Sequence, residues 1–148
     1  MDDDPMSIAF TEARAAAARG EAPIGAAVTR EGIVIARAGN QTIGDNDPTA
    51  HAEIPALRAA GARLGNARLA GCDLYVTLEP CAMCAGALSH ARIRRLYYGA
   101  PDPKGGAVDN GARFFGSPTC HHAPEVYGGI RESEAGEMLR GFFAARRG

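Results

Sequence analysis

The chain lacks a long apolar run, since no stretch approaches the roughly 20 residues that a bilayer span needs. It also lacks the basic amino-terminal segment of a secretory signal, because Met1 is followed by three aspartates. These two absences argue against a membrane span and a signal peptide, and predict a cytoplasmic protein. The four cysteines are then expected to be reduced thiols or metal ligands rather than disulfides.

Lysine is almost missing, because Lys104 is the only one in the chain. The 16 Lys and Arg residues face 17 Asp and Glu residues, which gives a formal net charge of -1. Proteins that hold nucleic acid mainly by its backbone usually carry a basic surplus. A nucleic-acid partner would therefore need a local patch, and a set of solvated arginines is the equally simple interpretation. The arginines that offer such a patch are Arg92, Arg94, Arg95, Arg140, Arg146 and Arg147.

The apolar content of 46% over 148 residues is enough for an ordered core without disulfides. With no linker or repeat, residues 1–148 are expected to form one domain. Periodicity predicts helices at 9–19, 49–60, 81–90 and 132–146, and strands at 24–29, 33–38, 73–78, 95–99 and 125–130. Helices alternating with strands indicate a layered α/β domain with a partly parallel sheet.

Two of the predicted segments need comment. Residues 100–123 form a long loop rich in glycine and proline, and such a loop is usually functional or contains short structure of its own. The closing helix is expected to bury one face, formed by Met138, Leu139, Phe142 and Phe143.

Cys81 and Cys84 stand three positions apart at the start of a predicted helix. At this spacing both thiols lie on one face, about one turn apart, and can reach one metal ion. The amino terminus of a helix also favours the thiolate form, which binds metal. His51, at the start of another predicted helix, can supply a third ligand. Three protein ligands leave one tetrahedral position for water, which is typical of a catalytic zinc site.

Glu53 follows His51 by two positions and is expected to lie near the open position without binding the metal. There its carboxylate can take a proton from water and pass it to the ring and to the leaving amine. The pattern H-x-E followed by P-C-x-x-C is the signature of zinc deaminases that act on nucleobases. We therefore predict a zinc-dependent hydrolytic deaminase in which Glu53 is the proton shuttle.

Other interpretations of the cysteines remain open at this stage. A C-x-x-C pair in an α/β chain can be a redox motif, although such a motif has no use for the His and Glu pair. A structural zinc site would need a fourth ligand, which the cluster of Cys120, His121 and His122 could offer. This cluster is more simply part of a loop, and Cys72, at the start of a strand, is most simply a small buried hydrophobe.

With these residues in hand, the chain resembles the bacterial tRNA adenosine deaminase family (TadA) of the cytidine deaminase superfamily. The resemblance extends over nearly the whole chain. It rests on RGEAPIGA at 19–26, GN at 39–40, DPTAHAEI at 47–54, LYVTLEPCAMCAGAL at 74–88, KGGA at 104–107 and the closing helix with Phe142 and Phe143.

The resemblance implies a three-layer α/β/α cytidine deaminase-like fold with a central mixed five-stranded sheet. It also implies a homodimer with one zinc ion per subunit, held by His51, Cys81 and Cys84. The reaction would convert the wobble adenosine of an arginine tRNA to inosine, with the anticodon arm as the partner. Asn40, Ala52 and Pro80 would hold the extruded nucleoside. Neighbouring nucleotides would meet Asp102, Lys104, Phe142 and Arg146.

One departure concerns Pro55, which lies where the family has a good helix former. Inside a helix it would remove a hydrogen bond, but near the helix start this cost is small. Two other functions remain open. A free nucleobase or nucleoside deaminase for guanine or cytosine would share the zinc signature, whereas a catalytically silent subunit would not need Glu53.

Overall fold

The computed structural model describes residues 4–147. Five strands form one sheet, namely β1 (Gly25–Arg30), β2 (Ile33–Gly39), β3 (Cys72–Leu78), β4 (Arg95–Ala100) and β5 (Glu125–Tyr127). The helices are α1 (Pro5–Ala18), α2 (Glu53–Leu64), α3 (Ala82–Ala91) and α4 (Glu132–Arg147). A short 3-10 turn at Phe114–Gly116 lies within the long loop, which was expected to be functional or to contain short structure of its own.

The strand order across the sheet is β2-β1-β3-β4-β5. The β1 strand is antiparallel to β2 and β3, whereas β3, β4 and β5 are parallel to one another. Leu78 is paired with Ala100, so β3 and β4 end side by side at one edge of the sheet. This arrangement confirms the expected mixed five-stranded sheet.

The helices cover both faces of the sheet. On one face α2 and α3 enclose the larger core, which includes Val28, Leu74, Leu88 and Leu96. On the other face α1 and α4 enclose a smaller core built from Met6, Ala9, Phe10, Ala100 and Ala135. The close contact of α1 with β1 depends on Gly25, because a Cβ there would collide with the carbonyl of Ala9. The three-layer α/β/α fold implied by the resemblance is therefore confirmed.

The start of α2 differs from the sequence prediction. The helix begins at Glu53 rather than at 49, because Asp47 accepts hydrogen bonds from the Thr49 N–H (2.9 Å) and hydroxyl (2.7 Å) in a local turn. Pro55 is consequently the third residue of α2. The first four N–H groups of a helix have no partner within it, so the missing N–H of Pro55 costs no helical hydrogen bond.

The closing helix differs in how deeply it is buried. Of its four expected core residues, Phe143 is 49% exposed, and the other three are half-buried. Ala135 is instead the α4 residue packed in the core. The β5 strand is also shorter than predicted, because it ends at Tyr127 and the chain turns at Gly128 to reach α4. Among residues 4–147, no helix is both long and apolar enough to span a membrane.

Candidate functional site

His51, Cys81 and Cys84 lie together beside the edge where β3 ends. His51 precedes α2, Cys81 is the extended residue that begins α3, and Cys84 lies in the first turn of α3. The Nδ1 atom of His51 is 3.5 Å from Cys81 Sγ and 3.8 Å from Cys84 Sγ. The donor atoms of all three lie within 4.8 Å of one another.

These distances suit a tetrahedral zinc ion. Bonds of about 2.05 Å to nitrogen and about 2.3 Å to sulfur place neighbouring donors roughly 3.6 Å apart. The observed separations of 3.5 and 3.8 Å agree with that value. One imidazole and two thiols are also the soft donors that zinc accepts. Within residues 4–147 this is the one group of three or more such side chains that meets the spacing for a metal.

The pKa values of the two thiols are shifted in opposite directions. The contact with Cys84 lowers the pKa of the Cys81 thiol to about 5, and the nearby His51 ring acts in the same direction. The same contact, together with burial, raises the pKa of the Cys84 thiol. Both thiols must lose their protons to bind zinc, and Cys81 stands at the amino terminus of α3, where the helix dipole favours a negative charge.

Glu53 is the first residue of α2 and is only 4% exposed. Burial raises the pKa of its carboxyl group to about 7, with the negative charge on Cys81 acting in the same direction. Its carboxyl group also contacts the Cys84 thiol. A buried carboxyl group therefore adjoins the three donor side chains.

A cavity of about 230 Å³ is lined by His51, Cys81 and Glu53, whereas Cys84 is fully buried and is not part of the lining. Its walls come from the segment before β1, the start of α2, the turn after β3 and the loop after β4. The lining residues are Ile24, His51, Glu53, Leu78, Glu79, Cys81, Asp102 and Gly105. Ala52 and Pro80 are fully buried next to lining residues, so the structure places them behind the wall of this cavity.

Asn40 follows β2 and is 6% exposed. Its main-chain N–H donates to Ile24 O (3.0 Å), which places it one residue behind the cavity wall. Its amide Nδ2 donates to Glu21 Oε1 and to Thr42 Oγ1, both at 3.2 Å. The amide orientation is therefore set by Glu21 and Thr42.

A larger opening lies beside this cavity, between residues 100–104 and α4, and we call it the α4 groove. Its first part has a volume of about 660 Å³ and shares Leu78 and Asp102 with the smaller cavity. Its second part, of about 490 Å³, is lined by Lys104, Leu139, Arg140, Phe143 and Arg146. The wall of the α4 groove is mixed, with the basic Lys104, Arg140 and Arg146, the acidic Asp102, Glu132 and Glu137, and the apolar Leu139 and Phe143.

Phe142 and Phe143 point in different directions. The Arg146 guanidinium lies 4.4 Å from the centre of the Phe142 ring and also donates to Gly20 O at 2.9 Å. Phe142 does not line the α4 groove, whereas the exposed Phe143 lines both of its parts. Of the two aromatic residues, the sequence prediction named the one that faces away from the groove.

The arginines at 92–95 lie elsewhere. Arg94 forms a bidentate pair with Asp73 at 2.9 and 2.7 Å, and Arg95 faces Glu125 at 3.6 Å. They stand where β4 begins, at the sheet edge opposite the cavity. Arg94 and Arg95 are thus paired with carboxylates, whereas Arg92 donates to Ser89 O at 3.4 Å; the arginines that line the α4 groove are Arg140 and Arg146. The side chain of Arg147 lies outside the described residues.

Cys120 and His122 fasten a loop rather than joining the metal group. Cys120 Sγ lies 3.6 Å from Ser89 Oγ, and the His122 N–H donates to the same hydroxyl at 3.2 Å. His122 Nε2 lies 2.7 Å from Ile93 O. These contacts tie the loop to the end of α3 and favour the simple loop interpretation. Cys72 is fully buried in the larger core, as expected.

Two buried carboxylates were missed by sequence reasoning, Glu21 and Glu79, each 2% exposed. Burial acts to raise the pKa of Glu79, but hydrogen bonds from Asp102 and Asn110 outweigh it and hold the pKa below its ordinary value. The signal in the sequence was weak: Glu79 is an acidic residue between an apolar strand and Pro80. Nothing in that pattern says what the carboxylate would accept.

A mixed sheet with one His and two Cys donors at its edge, beside a buried Glu, defines a zinc-dependent deaminase. Residues 1–100 match the family model for the cytidine and deoxycytidylate deaminase zinc-binding region. The zinc cofactor expected from the sequence is therefore confirmed by the family and by the donor set.

Similar proteins and structures indicate which kind of zinc-dependent deaminase this chain is. The tRNA-specific adenosine deaminase of Agrobacterium fabrum is 63% identical over 96% of this chain and 93% of its own length. A solved structure from work on A-to-I editing by tRNA:A34 deaminases has 63% identity and a TM-score of 0.90, covering 91% of this chain and 98% of that one. A guanine deaminase structure from Nitrosomonas europaea has 27% identity and a TM-score of 0.82, covering 95% and 83%. The chain belongs to the cytidine and deoxycytidylate deaminase family, in its branch of tRNA-specific adenosine deaminases.

Proposed function

We propose that this chain deaminates the wobble adenosine in the anticodon arm of a tRNA, with an arginine tRNA as its substrate. Water adds its oxygen to C6 of the adenine, the bond from C6 to the exocyclic nitrogen breaks, and inosine and ammonia leave. The observation that carries the proposal is the small cavity lined by His51, Cys81 and Glu53, with the buried Cys84 3.8 Å from His51, which shares Leu78 and Asp102 with the α4 groove.

His51, Cys81 and Cys84 would hold the zinc ion, one per subunit. When bound, zinc acts as a Lewis acid that makes water nucleophilic at neutral pH. Glu53 would carry a proton from water to the ring and then to the departing amine. Its position at the first residue of α2, buried beside the donors, suits a group that moves protons without binding the metal.

The nucleoside would enter the small cavity, and its volume of about 230 Å³ suits a single base. Pro80 and Ala52 would support the wall of this cavity. Asn40 stays a predicted contact of the nucleoside, although its amide is held by Glu21 and Thr42 and does not line the cavity. The target base must leave its stack to reach the donors. In an anticodon loop the free-energy cost of this step is small, because the bases are already partly unstacked.

Flanking nucleotides would lie in the α4 groove. Its wall combines Lys104, Arg140 and Arg146 with the exposed ring of Phe143, which is the combination that single-stranded RNA binds by charge and by stacking. Asp102 stands where the cavity and the groove meet. Phe142 stays a predicted contact, although Phe143 is better placed. Asp102, Glu132 and Glu137 also line the α4 groove, so RNA binding by a chain whose net charge is -1 would depend on where Lys104, Arg140 and Arg146 are placed rather than on a basic surplus.

Three further features belong to the same proposal. Residues 1–148 would form a single deaminase domain that acts in the cytoplasm. Two copies would pair as a homodimer through the apolar depression of about 710 Å³ between α2 and α3, which includes Leu57, Leu69 and Ala87. Sedimentation of the purified protein tests the dimer, and a monomer at micromolar concentration would contradict it.

The test of the reaction is ammonia release by zinc-loaded protein. The substrates are an arginine-tRNA anticodon stem-loop with a wobble adenosine and, separately, free adenosine, guanine, cytosine and cytidine. Inosine at the wobble position with little turnover of the free compounds is the expected result. A stem-loop that carries guanosine at the wobble position is the matched control and should release no ammonia.

A free-base deaminase is the second candidate. It is favoured by the likeness to guanine deaminase structures, at 27–30% identity over most of the chain. Turnover of guanine without turnover of the stem-loop would replace the RNA substrate while keeping the zinc centre and Glu53 in their roles.

A further inference from the structure

The Glu79 carboxylate is the anchor of the loop that follows β4. Its Oε1 accepts the N–H of Asp102 at 2.9 Å and the amide Nδ2 of Asn110 at 2.7 Å. Its Oε2 accepts three consecutive main-chain N–H groups, from Val108, Asp109 and Asn110, at 2.9 to 3.1 Å. One buried carboxylate therefore holds both ends of the segment 102–110.

This segment forms the wall between the small cavity and the α4 groove. Asp102 and Gly105 line the cavity, and Lys104 lines the groove. Asp102 Oδ1 in turn accepts the N–H of Lys104 (3.2 Å) and of Gly105 (3.0 Å). The contacts from Glu79 thus pass through Asp102 to the backbone that presents Lys104.

We propose that Glu79 is a positioning residue for RNA, which holds the segment 102–105 so that Lys104 faces the nucleotide next to the target base. The inference rests on the proposed function, because it assigns Lys104 to an RNA contact. Glu79 lines the small cavity, but the hydrogen bonds to its carboxylate come from residues 102–110, and we place its effect on RNA binding in the wall that these residues form.

The anchor requires a carboxylate rather than a side chain of the same size. An ionised carboxylate only accepts hydrogen bonds, and each of its oxygens has about two lone-pair sites. In Glu79→Gln one oxygen becomes an NH₂ group that faces N–H donors and accepts from none of them. The variant keeps the volume of the side chain but loses the hydrogen bonds that one of the two carboxylate oxygens accepts.

The test measures binding of an anticodon stem-loop with inosine at the wobble position, which is the product and is not turned over. Four zinc-loaded full-length proteins are compared: wild type, Glu79→Gln, Lys104→Ala and the double variant. In the wild-type background Lys104→Ala should weaken binding about fivefold and reduce the slope of log Kd against log salt by about 0.7. In the Glu79→Gln background it should weaken binding by less than about twofold, because the contact is already lost.

Glu21→Gln is the matched control. It also removes a buried carboxylate that accepts main-chain N–H groups, at Ile43 and Gly44, but from a different loop. Lys104→Ala should therefore keep its full effect in the Glu21→Gln background. If Glu79→Gln does not fold, Asn110→Ala removes one of the five donors and should show a smaller coupling with Lys104 in the same direction.

The proposal would be overturned if Lys104→Ala weakened stem-loop binding equally in the wild-type and Glu79→Gln backgrounds. It would also be overturned if Glu79→Gln lost zinc and kcat while its RNA affinity stayed unchanged. The expected pattern is the reverse, with zinc retained and affinity lost more than kcat. A wild type that binds no stem-loop would contradict the proposed function instead. In that case hydrogen exchange of the main-chain amides at 102–105 still tests whether Glu79 holds this segment. The exchange rate should rise in Glu79→Gln, and an unchanged rate would overturn the role of Glu79 as an anchor.

Discussion

The guanidinium of Arg146 lies over the ring of Phe142, 4.4 Å from its centre, and so turns that ring away from the α4 groove. The adjacent Phe143 is left facing the groove. Phe142 and Phe143 thus have different surroundings, and their alanine variants can be compared as a matched pair.

Phe143→Ala should raise KM for the stem-loop by about tenfold, because stacking of one base on an aromatic ring contributes about 1–3 kcal/mol. Phe142→Ala should raise it less and should instead lower the melting temperature, since its ring packs under Arg146. Steady-state kinetics and thermal melts of the two variants check this. The prediction fails if Phe142→Ala has the larger effect on KM.

Glu53→Gln should abolish turnover while the zinc content stays at one ion per subunit. A positioned proton carrier contributes typically 10²–10⁴-fold, and the loss should be at least about 10²-fold. Metal analysis and ammonia release on the same sample provide the check. Loss of zinc together with activity would contradict the assignment of Glu53 as a residue that moves protons without binding the metal.

Cys84→Ser should release the metal. Cys84 is fully buried, and a serine hydroxyl in its place is a poor zinc ligand. We expect less than about a tenth of the wild-type zinc after dialysis, and a lower melting temperature because metal binding contributes to folding. Cys72→Ser, which changes a cysteine buried in the core, should leave zinc bound. Full activity of metal-free wild type would contradict the mechanism as a whole.

Acid should destabilise the protein partly through Glu21. Burial acts to raise the pKa of this carboxyl group, but hydrogen bonds from the N–H groups of Gly44 and Ile43 and from Asn40 outweigh it, so the pKa lies below its ordinary value of 4.5. A lowered pKa in the folded state contributes stability above pH 4.5, and this contribution is lost as the pH falls towards the folded-state pKa.

Urea unfolding at pH 6 and at pH 4 tests this dependence. The free energy of unfolding should fall more between these values in the wild type than in Glu21→Gln, which has no group to protonate at that position. Zinc is lost at acid pH in both proteins, so the comparison cancels its effect. Equal losses in the two proteins would contradict the role given to Glu21.

Asp73→Asn should lower stability without affecting RNA binding. Its carboxylate is largely buried and pairs with Arg94, whose side chain is 47% exposed, so the loss should be about 1 kcal/mol. The pair lies at the sheet edge opposite the site, and KM for the stem-loop should stay within about twofold of wild type. A large increase in KM would mean that the arginines at 92–95 do contact the RNA.

Much of the fold and of the metal centre follows from local signals. Cys81 and Cys84 share a helix face by spacing alone, and the strand before them is recognised by its alternation, in which the buried Cys72, Leu74 and Val76 share one face. The start of α2 was misplaced because Asp47 and Thr49 are good caps that form a turn instead. The burial of α4 was overestimated because periodicity shows which side chains share a face, not whether another element covers that face.

The roles of Glu79 and Glu21 could not be predicted for a different reason. Each carboxylate accepts hydrogen bonds from residues more than 18 positions away, and the chain path that brings them together is a property of the whole fold. The position of Phe143 could not be predicted for the same reason, because it lines a groove that forms only where residues 100–104 and α4 lie opposite each other. Sequence patterns find groups that act within one helix or turn, and they miss groups that act between loops.

Four of the five donors to Glu79 are main-chain N–H groups, and only Asn110 contributes a side chain. Most side chains of residues 102–110 can therefore be exchanged without removing the anchor, apart from Gly106, where a Cβ would strike the Glu79 carboxyl group. A library that varies Pro103 and Lys104 while keeping Glu79 and Gly106 should consist largely of folded, zinc-binding proteins. If Lys104 contacts the RNA as proposed, we expect variants in this library to differ in RNA specificity while they keep zinc and the reaction chemistry.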